Sequence, residues 1–598
     1  MLYKEVIDVK KVFAGAVALL MCVGALAGCK PAHKHTYDHI EVDWYTHKKI
    51  CTECDEVDER SDHVFDDETD VTCDACGFTR DLMLWGESAE TRTNLSADGY
   101  VKDNIGDFSQ YAGTAAYRTV TTSSELIEAI KAAKYSYTSS WDADTQSVKQ
   151  VLTAEGTVHV IEIANDIEMG FNKLETQYQT TNGTVIENYS RRNASAISTF
   201  AMSDMFTEYG ITKVKIENTN NLLIYSKSGA KLTHCGFSIL SCDNVVFRNL
   251  EMDEMWQWED SASSSTSKVG DYDAFGWAYF KVSHCGYVWI DHCTFGKSYD
   301  GQIDYSNPVY DTEGTAFRAP YGADGSNGLH ISWCKFNAGS DDPDGYLYKM
   351  MQKIEEDYQA GGKNYLYYNA LREHYSFEQI LYGVAIPQKK GFLCGDSGNG
   401  KTDYDVNLRL QISFSNCYFK NLEDRLPKLR GGNAVMYNCV VDSLQYINYR
   451  NQLSGAASYV AAVNSSWKCA LVSQGIVCGN GGSFYGRNCM FKGINTLLKN
   501  NDDGGITEGE TVRTKDGGYR IVNCTYQRDG NYAPTTNFSD VSNLTEANFK
   551  WHTENGTAPF GMAAIPLEKL EEELANEKYG AGVNTQLHER FLKSRYGV

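Results

Sequence analysis

Positive charge is in short supply in this sequence. Lys and Arg number 55 against 78 Asp and Glu, a formal net charge of −23. Binding a phosphate backbone takes a basic surface, so nucleic acid is excluded as a partner. An anionic ligand of any kind is awkward too, unless cations or a local basic patch reverse the field. A long apolar run is also lacking. AGAVALLMCVGA (residues 14–25), behind Lys10 and Lys11, is too short for a comfortable membrane span but has the length of a secretory signal core. Disorder is not the explanation of the acidity, because 42% of the residues are apolar. At 598 residues the chain exceeds what one compact core needs, which leaves several domains or one elongated repeat fold.

The apolar run ends in Leu26-Ala27-Gly28-Cys29, which resembles the lipobox of bacterial lipoproteins. That resemblance implies a signal peptide over 1–28, a lipid on Cys29 and a short linker over 29–34, so that the chain is anchored to a membrane at the cell surface. An ordinary secretory signal is the alternative, and both place the mature protein outside the cytoplasm. Next come Cys51-x-x-Cys54 and Cys73-x-x-Cys76, with 18 residues between the pairs. Two such knuckles can hold Zn2+ in a zinc-ribbon-like module, here residues 35–80. His35 precedes the first pair and His63 the second, so histidines can replace some of the cysteines. Two disulfides compete with this reading in an exported protein. No open catalytic site is suggested, so any zinc here is structural.

From about residue 85 to 598 the character changes. Thr122 and Glu125 form a capping-box pattern ahead of Leu126, Ile127 and Ile130 at helical spacing. Short strand-like runs follow, among them NVVFRNL, YVWIDHCTF, LHISWCKF, LQISFSNCYF and AVMYNCVV, with few helix-like flanks. Several share one phase: a β run, then a cysteine, then an apolar residue two further on. These are Cys293, Cys334, Cys417, Cys439, Cys489 and Cys524. Cys417 and Cys439 stand about one solenoid coil apart. The fold class expected is therefore all-β, a parallel β-helix with these cysteines as an inward ladder of small buried side chains. An antiparallel sandwich is the alternative, but the Asn-Gly hairpin signals it needs are sparse.

Two clusters carry chemistry. In Asp300-Gly301-Gln302-Ile303-Asp304, strand alternation puts Ile303 inside and Asp300, Gln302 and Asp304 outside. Asp273, one coil-length upstream, adds a third carboxylate. Hard oxygens gathered this way suit Ca2+, although solvated turn aspartates remain the plainer reading of either pair alone. The second cluster is Arg425-Leu-Pro-Lys-Leu-Arg430, a short basic stretch in this part of an acidic chain. Ahead of it stands Lys389-Lys390-Gly-Phe-Leu-Cys, which resumes the β pattern after a Tyr-rich, helix-like insertion at 341–388.

WIDHCTF, then DGQID, then RLPKLRGG, in this order, resembles the pectate lyases, a family of polysaccharide lyases; the likeness runs over roughly residues 118–530. The resemblance implies a right-handed parallel β-helix and calcium-dependent β-elimination on polygalacturonate. It further implies that Asp273, Asp300 and Asp304 bind calcium, that Arg425 takes the proton from C5 of the sugar, and that Lys390 and Arg430 bind substrate, with Lys389 competing for the place of Lys390. Asp291 and His292 belong to the motif but read as coil support. Val435 and Asn438-Cys439 depart from the family's pattern after the arginines, as do the insertion and the N-terminal module. A pectin lyase, a galacturonan hydrolase using Asp300 and Asp304 as an acid–base pair, and a non-catalytic polysaccharide-binding surface protein are the rival readings. A monomer is expected.

Overall fold

The computed structural model describes residues 34–41, 46–52, 57–64 and 73–77 of an N-terminal unit, Met1–Thr79. In a second unit, Arg80–Val598, it describes 108–142, 147–180, 185–191, 208–265, 269–270, 275–306, 327–395, 407, 410–500, 517–538, 544, 546, 565–577 and 580–583. The signal segment, Cys29, Cys54 and Asp273 lie outside these residues. No helix among the described residues is long and apolar enough to cross a membrane.

The N-terminal unit is a three-stranded antiparallel sheet of Tyr37–Glu41, Thr46–Cys51 and Val57–Asp62, followed by the turn that carries Cys73 and Cys76.

In the second unit, short strands recur in threes. The chain runs through a first strand such as Cys235–Leu240, a second such as Asp243–Arg248 and a third such as Glu251–Asp253, then starts again. Like strands stack in parallel into three sheets of nine, ten and nine strands. In one of the short coils Thr212 pairs with Cys235 and Glu217 with Leu240. The architecture is a parallel β-helix, as the sequence pattern leads one to expect, and not an antiparallel sandwich. Ile186–Asn188 runs antiparallel to Thr212–Glu217 at one end of the first sheet.

Register explains why the sequence repeats in phase. Phe295, Phe336 and Phe419 occupy equivalent places in three successive coils. Their rings stack at 4.8 and 5.2 Å, within 8° of parallel. Each such buried side chain contributes about 1.5–3 kcal/mol through lost water contact. The six expected cysteines are all buried and unbridged. Each follows a residue with positive φ at the corner between the second and third sheets: His292, Trp333, Asn416, Asn438, Asn488 and Asn523. Asparagine tolerates this left-handed turn better than most residues. Its side chains also bond along the stack, Asn438 to Asn416 at 3.1 Å, Asn488 to Asn438 at 2.6 Å and Asn523 to Asn488 at 2.6 Å.

Thr122 caps the helix Ser123–Ala133, accepting from the Glu125 backbone N–H, and Leu126, Ile127 and Ile130 are buried. Glu125 closes back on Thr121 N at 2.7 Å, one residue earlier than the box pattern. The insertion is helical, with Tyr346–Gln359, Leu366–Arg372 and Phe377–Ile380, and its DDPDG start is a turn. Buried Asp260 anchors it by accepting from Tyr367 N (2.8 Å) and Tyr368 N (2.7 Å). A C-terminal helix, Leu567–Ala575, packs Leu570 and Leu574 into the solenoid.

Candidate active site

The corners that join the third sheet to the first gather most of the candidate residues. Asp300 precedes the strand Ile303–Ser306, Lys390 precedes Phe392–Cys394, and Arg425 precedes Lys428–Arg430, so the three stand in successive coils. Backbone bonds tie these corners together: Gln302 N donates to Gly391 O at 2.8 Å, Gly391 N to Asp424 O at 2.9 Å, and Phe392 N to Arg425 O at 2.7 Å. Glycine is needed at 391 because a Cβ there would stand 2.5 Å from the Arg425 carbonyl oxygen.

Lys390 Nζ lies 2.7 Å from Asp300 Oδ1, with both side chains mostly buried. That separates the two adjacent lysines, since the charge of Lys389 acts instead on buried Lys297 and Glu423. Asp304 sits on the first sheet, in register with Lys281 one coil before, and Lys281 Nζ is 3.6 Å from its carboxylate. Burial pushes the Asp304 carboxyl above the usual range. Lys281 opposes this, Asp300 adds to it, and Arg425 and Lys390 also oppose it. Five charged groups therefore act on one spot. Burial works against the Lys281 ammonium, but Tyr189, Asp304 and Asp300 hold its pKa above the ordinary value.

Arg425 has φ +65, a region costly for a long side chain, and its Nε is buried without a hydrogen-bond partner. A buried donor left in that condition costs free energy until something accepts from it. Arg430 lies on the same sheet, two coils beyond Asp304 and so roughly 10 Å away along the stack. Gly395, at φ +100, leaves it room: a Cβ there would meet Arg430 Cβ at 3.0 Å.

One expectation is corrected. Gln302 does not point outward; it is fully buried, donating to Gly296 O and to Gln388 Oε1, each at 3.0 Å. The strand begins only at Ile303, so alternation does not extend back to 302. Asp300 likewise stands in the corner and not on a strand. As for Asp291, burial pushes its carboxyl up, but His292 and Arg248 pull it below the usual range. Its contacts, Arg248 Nε at 2.6 Å and His292 Nδ1 at 2.8 Å, are wholly interior, so this pair supports the coil.

Two residues escaped the sequence reading. Lys281 was findable, because it stands one coil-length before Asp304. Gln388 left no signal, yet its buried amide donates to Asp300 O (2.7 Å) and Lys390 O (2.8 Å), fixing both corners. Asp300 and Asp304 fit a calcium ion in their chemistry: both offer hard oxygens, and at Gly301 a Cβ would come within 3.1 Å of Asp304 Oδ1, so its absence leaves the carboxylate open. In the N-terminal unit, Cys73 and Cys76 gather with His47 and His63. Cys51 is buried at the end of its strand and is not one of those four.

No family model matches the chain. Pectate lyase B of Paenibacillus amylolyticus is 28% identical over 339 residues, 56% of this chain and 76% of that protein. A pectate lyase of Bacillus subtilis is 24% identical over 245 residues, 40% of this chain and 42% of its own. Among solved structures, a pectate lyase from Paenibacillus sp. 0602 superposes with a TM-score of 0.62 at 24% identity, covering 82% of this chain and 97% of that one. By its β-helix fold, its motifs in order and these relatives, the chain is similar to the pectate lyases, a family of polysaccharide lyases.

Proposed function

We propose that the solenoid is a calcium-dependent pectate lyase that cleaves polygalacturonate by β-elimination, releasing unsaturated oligogalacturonides. The observation that carries this reading is the convergence of Asp300, Lys390 and Arg425, at one corner of the stack, with Asp304 and Lys281 on the adjoining sheet. Such a site reverses the field of an acidic protein locally, which is what a polyanionic substrate requires.

Asp300 and Asp304 would hold the ion, with Asp273 as the third ligand. When bound, calcium supplies Lewis-acid stabilisation of the charge that develops on the uronate carboxylate. Lys390 binds a substrate carboxylate as a point charge, and Arg430 does so as a planar fork. Arg425, once its guanidinium has given a proton to solvent hydroxide, takes the C5 proton. The C5–H electron pair becomes the C4=C5 double bond, the C4–O bond breaks, and the departing oxygen takes a proton from water. Gln388 acts on the reaction only by holding Asp300 and Lys390 in place. Groups poised before the substrate arrives favour the transition state without reorganisation.

A galacturonan hydrolase is less well supported, since it needs a second carboxylate free to activate water, whereas Asp300 is held by Lys390 at 2.7 Å. The protein works outside the cytoplasm, held at the bacterial surface by lipid on Cys29, and as a monomer. Incubation with polygalacturonate, with and without a chelator, tests the reading. Ultraviolet absorbance of an unsaturated product, abolished by the chelator and restored by Ca2+, is the expected result. Saturated reducing ends would move the assignment to a hydrolase, and no product at all to a binding protein.

A further inference from the structure

The described residues of the N-terminal unit have almost nothing to fold around. Among its described residues, the buried apolar side chains are Cys51 and Cys73. A unit this small needs a staple when it lacks a core. Among its described residues, His47, His63, Cys73 and Cys76 form a cluster whose ligand atoms all lie within 4.8 Å of one another.

The spacing is that of a filled coordination sphere. Zinc bonds of about 2.3 Å to sulfur and about 2.0–2.1 Å to nitrogen, set tetrahedrally, put neighbouring S and N atoms about 3.5 Å apart. Cys73 Sγ lies 3.7 Å from His47 Nδ1, and Cys76 Sγ lies 3.4 Å from His63 Nδ1. Groups around the four hold them in that arrangement. Ser61 Oγ bonds the far nitrogen of the His47 ring at 3.1 Å, which leaves Nδ1 for a metal. Val64 N donates to Cys73 Sγ at 3.3 Å, the kind of bond that stabilises a thiolate. Gly77, at φ +74, closes the Cys73–Gly77 turn through a 2.8 Å bond from its N–H to Cys73 O. Antiparallel pairing supplies the histidines: His47 stands opposite Ser61, so the strand end delivers His63 to the same place.

We propose that His47, His63, Cys73 and Cys76 form a closed, structural Cys2His2 site for Zn2+ that stands in for a hydrophobic core in this unit. The set differs from the two-knuckle arrangement that the cysteine spacing suggests. Cys73 and Cys76 are kept, and two histidines from a hairpin replace the first pair. Two thiolates and two imidazoles in tetrahedral array favour zinc over the harder divalent ions, and with all four positions taken there is no place for a substrate.

Metal analysis of the full chain, together with Co2+ substitution, tests this. None of the four residues belongs to the solenoid, so the outcome is independent of the lyase assay. His63→Ala and Cys76→Ser should each remove one equivalent of zinc per chain and abolish the tetrahedral Co2+ spectrum. His63→Cys should retain the metal and raise the thiolate-to-cobalt charge-transfer intensity by about half, from two sulfurs to three; a histidine that only packs would give no such gain. Zinc content unchanged by His63→Ala and Cys76→Ser would overturn the site. So would loss of zinc in Cys51→Ser with retention in His63→Ala, or a Cys73–Cys76 disulfide found by alkylation and mass measurement in the purified chain.

Discussion

Two of the solenoid's corners are built on different rules. Between the second and third sheets the chain passes through a single left-handed residue at 249, 292, 333, 416, 438, 488 and 523, and from Asn416 onward the asparagine side chains bond to one another along the stack. Between the third and first sheets the connection ranges from the single residue 234 and the short 493–495, through 296–302 and 421–427, to the long stretches 254–279, 337–391 and 443–473. The first corner repeats and is buried; the second varies and carries Asp300, Lys390 and Arg425. A stack needs only enough repetition to keep its coils in register. Where one corner supplies it through an asparagine and cysteine ladder, the other is released to hold unlike charges that would otherwise have no reason to meet.

Replacing a residue at each corner should therefore give opposite phenotypes. Arg425→Ala should have the largest effect: turnover on polygalacturonate falls by about 10²–10⁴-fold, the range for loss of a proton-transferring group, while the melting temperature barely moves. Near-normal turnover would remove Arg425 from the mechanism. At the other corner, Asn488→Ala takes away bonds to Asn438, Asn523 and Ile565 O at 2.6, 2.6 and 2.7 Å, and leaves alanine at φ +55. We expect it to cost about 2–4 kcal/mol in chemical denaturation, with turnover per folded molecule unchanged. Asn488→Gly separates the two causes: it relieves the backbone but not the lost bonds, so it should recover about 1–2 kcal/mol of that cost.

The variable corner has its own internal supports, and they should behave like the ladder. Asp260 accepts from Trp258 Nε1, Ser261 N, Tyr367 N and Tyr368 N, four donors on two oxygens. Asp260→Asn turns an NH2 toward one pair of those donors. A loss of about 1–3 kcal/mol is expected, together with earlier proteolytic cleavage within 341–388. A variant as stable as the parent would mean that the helical insertion docks by its apolar face alone.

This difference between corners also explains how much of the molecule could be read in advance. Repetition leaves a trace in sequence, so the β-helix, the cysteine phase and the early helix were all legible. Charged groups on the first sheet were partly so: Asp304 was read from its strand, and Lys281 could have been, by counting back one coil. Gln302 was misplaced because alternation was run past the end of the strand. Gln388 sits at the close of the long insertion, where neither phase nor spacing singles out one buried amide. In the N-terminal unit, cysteine spacing suggested the chemistry, but strand pairing brings His47 and His63 together, and a linear motif does not encode pairing.

The mildest perturbation addresses the ladder's sulfurs. Cys489 is fully buried, its thiol pushed well above the ordinary range by burial, and its backbone N–H meets Cys524 Sγ at 3.2 Å. A thiol held protonated in an apolar interior is inert and acts as a small hydrophobe. Cys489→Ala should therefore cost only about 1 kcal/mol, close to the removal of one methylene-sized group, with full activity retained. Native-state alkylation should leave Cys489 unmodified until the solenoid unfolds, whereas a zinc-stripped N-terminal unit should expose Cys73 and Cys76 at once. Rapid labelling of Cys489 in the folded chain would mean that the repeating corner opens as readily as the variable one, and the division of labour between them would fail.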